Sequence, residues 1–171
     1  MNMIAAAAAA LLAVQTTPGP PVQCIPAQQL TDLSIVLMPT FVDAARQRCG
    51  PHLSNGFLSS PQGAALAERY RGAGAPRRAN AARAVRLIAG NNIPRALSGE
   101  TIMAVMTEGM IGEALASVDA PRCRAIDSLV ASLAPLAPEN MGQAVSAIYT
   151  LVSLGEARRR SMPPVCPASA N

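Results

Sequence analysis

The sequence predicts an all-α fold: a compact bundle of about six or seven short helices, stapled by disulfides. Three observations carry this. Apolar residues recur at helical spacing from Leu30 to Val152, and no segment sustains the apolar-polar alternation of a strand. Prolines and glycines punctuate the helical stretches. Four cysteines, Cys24, Cys49, Cys123 and Cys166, follow an N-terminal segment with export features, which places them in an oxidising compartment where disulfides persist.

That segment comes first. Met1, Asn2 and Met3 lead into an apolar block over residues 4–14, shorter than the ~20 residues that span a bilayer. It reads as the apolar region of a secretory signal, cut after Ala13, and Pro18, Gly19, Pro20 and Pro21 form an unstructured leader. Residues 1–23 are thus signal peptide and Pro-rich leader, and residues 24–171 a single helical domain with a Pro-rich C-terminal tail. The expected location is periplasmic or secreted. Pro21-Val22-Gln23 is not the small-residue box of a lipoprotein, so the mature chain is expected to carry no lipid at Cys24 and no stable transmembrane anchor.

Leu30, Leu33, Leu37, Phe41 and Ala44 form the first stripe. Pro39 interrupts it, and because proline suits a first helical turn better than an interior, two helices or one sharp kink are expected before Gly50-Pro51. Ser60-Pro61 supplies a cap and first-turn pair for a helix through Ala64, Leu66 and Tyr70. The run Gly72-Ala73-Gly74-Ala75-Pro76 reads as the most flexible internal loop. Ala81, Ala84, Val85 and Ile88 then share one face of a helix stopped by Gly90.

Ser98 caps a helix to about Val118 whose Ile102, Met103, Val105, Met106, Met110, Ile111 and Leu115 lie on nearly all sides, the pattern of a central buried helix. Gly109 and Gly112 on it suggest a closely approaching neighbour. Asp119 and Pro121 start the next helix, which Pro135 stops. The last begins near Pro138-Glu139, with Met141, Val145, Ile148 and Val152 on the expected inner face and Gln143, Ser146, Thr150 and Ser153 outside. The two proline-turned hairpins suggest local pairing, Cys24 with Cys49 and Cys123 with Cys166. The next alternative joins Cys24 to Cys166 and Cys49 to Cys123.

Composition narrows the function classes. Trp is absent, Phe41, Phe57, Tyr70 and Tyr149 are the only aromatic residues, and all 14 basic side chains are Arg. Arg69, Arg71, Arg77, Arg78, Arg83 and Arg86 form a possible basic contact face for a protein or an anionic surface. Nucleic acid is not expected, since no aromatic residues interleave the arginines for stacking. The cysteine spacings suit neither zinc nor a redox pair, and no cofactor or metal is expected.

The possible enzymatic groups are two. His52 is the lone histidine, beside Gly50-Pro51 with no acid in local reach. Glu113 falls on the stripe expected to be buried, where a carboxylate has a raised pKa if unpaired; pairing with Arg122 or Arg124 is the expected arrangement, and the role structural. The order Gly109-Met110-Ile111-Gly112, Cys123, a helix with Leu129-Val130, Pro138-Glu139, and Val165-Cys166-Pro167 resembles small periplasmic immunity proteins that neutralise type VI secretion amidase effectors. The resemblance implies a binding module. A non-enzymatic exported binding or protein-interaction module is therefore the leading expectation, with a small-molecule or lipid carrier, prompted by Met103, Met106 and Met110, or an enzyme using Glu113 or His52 as alternatives.

Overall fold

Helix α1 (Ala27–Cys49) runs 23 residues without interruption. It packs against α2 (Pro61–Gly74), α3 (Arg78–Ala89), α4 (Gly99–Ala116), α5 (Ala120–Leu133) and α6 (Pro138–Glu156). The computed structural model describes residues 24–90, 94, 96–156 and 163–167; the expected signal and leader over residues 1–23, Arg95 and the arginines Arg158, Arg159 and Arg160 lie outside these. The architecture is all-α, with six α-helices and one isolated bridge among the described residues.

The break expected at Pro39 does not occur. An interior proline removes the N–H that would bond the Ile35 carbonyl and costs about 3 kcal/mol. Burial outweighs that cost here, because Ile35, Val42, Ala45 and Cys49 are fully buried along the same helix. With α1 intact, Cys24 precedes its first residue and Cys49 is its last, ~35 Å apart at helical rise. The local pairing is thereby overturned. Cys24 bonds Cys166, and Cys49 bonds Cys123.

Two core clusters lie along α1. One gathers Val42, Ala45, Leu58, Leu66, Ala67, Tyr70, Leu115, Cys123 and Met141 around its C-terminal part. The other joins Leu30 and Leu33 to Ala81, Ala84, Val85 and Ile102. Residues 24–26 and 163–167 are clipped together beside this second cluster. The Ile25 N–H donates to the Pro164 carbonyl and the Cys166 N–H to the Ile25 carbonyl, each at 2.9 Å, and the Tyr149 hydroxyl donates to the Pro163 carbonyl at 3.0 Å.

The helix ends follow their local chemistry. Ser60, Ser98 and Asp119 accept from the Gly63, Thr101 and Arg122 N–H groups at 3.4, 3.1 and 3.0 Å, satisfying donors the helix itself leaves free. Gly90 ends α3 at φ 60°, a conformation suited to glycine. The glycine run at residues 72–76, expected as a loop, is instead helical. It completes α2 and passes through the 3₁₀ turn Ala75–Arg77 into α3. Gly74 eases a close approach of α2 to α1 there, since a Cβ would stand 3.3 Å from the Val36 Cα.

Helix α4 is not the central helix. It packs on α1 and α3 only through one side, burying Ile102 and Leu115 while Val105 is 68% exposed. Gly109 and Gly112 face open space, so no neighbour approaches them. The close approach lies on α6 instead, where a Cβ at Gly142 would meet the Thr31 carbonyl oxygen at 2.8 Å and Ile35 Cγ1 at 3.0 Å. Gly142→Ala should therefore destabilise by about 1–3 kcal/mol through overpacking, whereas Gly112→Ala should stabilise by about 0.5–1 kcal/mol. Urea unfolding of the two variants reads the difference, and shifts of the same sign would contradict this packing.

Candidate functional site

Neither expected enzymatic group stands in a reactive setting. His52 ends the exposed 3₁₀ turn Gly50–His52. Glu113 is exposed, because α4 turns that side away from α1 and α3. It forms no ion pair with Arg122 or Arg124 among the described residues: Arg122 bonds the Ser117 carbonyl at 3.4 Å, and Arg124 is exposed. The buried structural pair expected for Glu113 is thus absent.

A buried acid does exist elsewhere. Asp32, with 3% of its side chain exposed, accepts from Gln28 Nε2 at 3.0 Å and Asn80 Nδ2 at 2.6 Å, and forms an ion pair with Arg77, whose Nε stands 3.3 Å away. Arg77 also reaches Glu139 at 2.7 Å and the Ala73 carbonyl, so one guanidinium ties α1, α2 and α6 together at the start of α3. Sequence reasoning missed Asp32. The signal available was the second apolar row on α1, Ile35, Val42 and Cys49, which makes the helix buried on several sides and leaves an acid among them in need of a partner.

Arg77 is accordingly a partly buried ion, with 25% of its side chain exposed, engaged by Asp32 and Glu139. The other arginines divide among separate tasks. Arg69 donates to the Ala134 and Leu136 carbonyls and sits 5.6 Å over the Tyr70 ring; burial pushes the Tyr70 phenol above its usual range, while the Arg69 charge pulls it down. Arg71 pairs with Asp43 and Glu68, Arg83 donates to Asn80, and Arg86 donates to the Leu97 carbonyl at 2.7 Å. Arg78 has no carboxylate within 4.0 Å among the described residues.

A cleft opens between α1, α3 and α4. Its apolar chamber, half open to solvent and of about 180 Å³, is lined by Leu33, Leu37, Val85, Ile88, Met103, Ile111 and Thr107. An adjoining forecourt of about 300 Å³ shares Leu37, Met103 and Thr107 with it and adds Thr40, Arg78, Glu100 and Glu108. Met103, singled out by the carrier alternative, forms the common wall; the side chains of Met106 and Met110 lie outside the described set. The cleft exists because α4 meets α1 and α3 along one side only, so a row of side chains holds it off.

A second surface lies on α6. Ile148 and Leu151 are 60% and 70% exposed and Val152 is about half exposed, while Ser146 and Ser153 are buried. This reverses the inner and outer faces expected for the C-terminal part of the helix. The physical reason is proximity to α1, which admits small side chains at the contact begun by Gly142. The Ser153 hydroxyl satisfies itself by donating to the Thr150 carbonyl at 2.9 Å, so its burial leaves no donor stranded.

No group of three His, Cys, Asp or Glu side chains among the described residues could hold a metal ion, and no described helix is long and apolar enough to cross a membrane. No known protein family, curated protein or solved structure matches the chain.

Proposed function

We propose that the protein is an exported, non-enzymatic helical module, periplasmic or secreted, that binds a protein partner. The observation that carries this reading is the outward presentation of Ile148, Leu151 and Val152 on one helix. Each such side chain gains about 1.5–3 kcal/mol when removed from water, and exposed aliphatics grouped on one surface are a feature of interaction sites. Two disulfides are compatible with an oxidising compartment.

The test recovers the mature protein from the periplasm of its host beside the Ile148→Glu/Leu151→Glu double variant, and compares co-purifying proteins by quantitative mass spectrometry. Both substitutions are at exposed positions, so circular dichroism should be unchanged. Partners recovered with the native chain are expected to fall at least ~10-fold with the variant, the effect of losing about 1.4 kcal/mol of contact. Equal recovery from both would remove α6 as the interface. The carrier reading is favoured by a separate observation, the apolar chamber beneath α4.

A further inference from the structure

We propose that the α1–α3–α4 cleft binds a single-chain amphiphile with a zwitterionic head, its chain in the apolar chamber and its head between Arg78 and the carboxylates of Glu100 and Glu108. The inference rests on the carrier reading and is independent of the α6 surface.

The chamber specifies the chain. Six of its seven lining residues are Leu, Val, Ile or Met, and the seventh, Thr107, donates its hydroxyl to the Met103 carbonyl within its own helix. An occupant therefore finds an apolar wall with its one hydroxyl donor already engaged. At about 180 Å³ the chamber is below the usual ~300–1,000 Å³ of small-molecule sites, which admits one chain and not two. Met103 at the common wall is unbranched and adaptable, suited to a boundary that a chain must pass.

The forecourt specifies the head. Arg78, Glu100 and Glu108 line it together, and none of the three has an ion-pair partner within 4.0 Å among the described residues. Several other acids are engaged: Asp32, Asp43, Glu68 and Glu139 by arginines, and Asp127 by the Phe57 and Leu58 N–H groups, while Glu113, also unpaired among the described residues, lies outside the cleft lining. A purely anionic head would meet two carboxylates beside one guanidinium. A purely cationic head would meet Arg78. A head carrying both charges places its anion on the planar fork of Arg78, which matches phosphate or carboxylate, and its amine on the α4 carboxylates. Repulsion against the single-charge alternatives supplies the discrimination.

The experiment is calorimetric titration of the disulfide-intact mature protein with decanoyl lysophosphatidylethanolamine below its micelle concentration. Decanoyl lysophosphatidylglycerol, decylamine and glycerophosphoethanolamine are the anionic, cationic and chain-free comparisons. The zwitterionic probe is expected to bind at least ~10-fold more tightly than either singly charged one, and the chain-free head not to bind. Thr107→Phe, which fills the chamber, should weaken binding at least ~10-fold, with folding confirmed by circular dichroism. Glu100→Gln/Glu108→Gln, changed at two exposed positions, should bring the anionic probe level with the zwitterionic one. Equal affinity for all three chain-bearing probes would overturn the head assignment while leaving a carrier. Absence of saturable binding would overturn both, and binding indifferent to a folded Thr107→Phe would place the ligand elsewhere.

Discussion

Arg77→Met is expected to lower stability by about 3–5 kcal/mol, the usual cost of removing one partner from a buried ion pair. Asp32 would keep its bonds from Gln28 and Asn80 but lose its one ion-pair partner among the described residues, in a helix enclosed by core on several sides. Glu139 would lose its partner as well, though it is half exposed and can turn to water. Urea unfolding measures the effect, with Arg71→Met as the control: that arginine pairs with Asp43 and Glu68 at the surface, where ion pairs contribute little. The double variant Arg77→Met/Asp32→Leu should recover much of the loss, because replacing both members of a buried pair by apolar groups removes the stranded charge. A single Arg77→Met that unfolds like Arg71→Met would mean that the pair does not join the helices energetically.

The sequence reveals helix ends far better than helix faces. Ser60, Ser98, Asp119 and Gly90 act on backbone groups within a few residues of themselves, so their roles are readable without knowing the fold. Faces depend on what a helix meets. On α6 the periodicity of Met141, Val145, Ile148 and Val152 is real, yet only its first turns face inward, because close contact with α1 selects Gly142, Ser146 and Ser153. On α4 the all-round apolar pattern suggested burial, but its main contacts among the described residues are with α1 and α3.

Continuity was the other quantity out of local reach. Pro39 carries a helix-breaking signal, and burial of Ile35 and Val42 on either side of it overrules that signal. From that one difference follows the rearranged disulfide pairing. Within the cleft, Met103 was visible as a candidate from the sequence alone. The meeting of Arg78 with Glu100 and Glu108 was not, since it depends on how α4 returns past the beginning of α3.

The two disulfides should differ in the opposite order to their loop lengths. In the chain-entropy account a longer loop confers more stability, so Cys24–Cys166, spanning 142 residues, would outrank Cys49–Cys123, spanning 74. That account assumes a native state unchanged by the cut. Cys24 and Cys166 are only half buried and join short terminal straps, which can fray when unlinked and so regain entropy in the folded protein too. Cys49 and Cys123 are fully buried where the end of α1 meets α5, and removing them leaves a cavity as well as a longer unfolded chain. Cys49→Ala/Cys123→Ala should therefore cost about 4 kcal/mol, a drop of roughly 10–15 °C in Tm for a domain of this size. Cys24→Ala/Cys166→Ala should fall by less than half as much, with the loss appearing first as faster amide exchange at Ile25 and Cys166, whose N–H groups clip the straps together. Calorimetry of the two double variants decides the order, and a larger Tm loss for the terminal pair would show that the straps hold the folded state cooperatively.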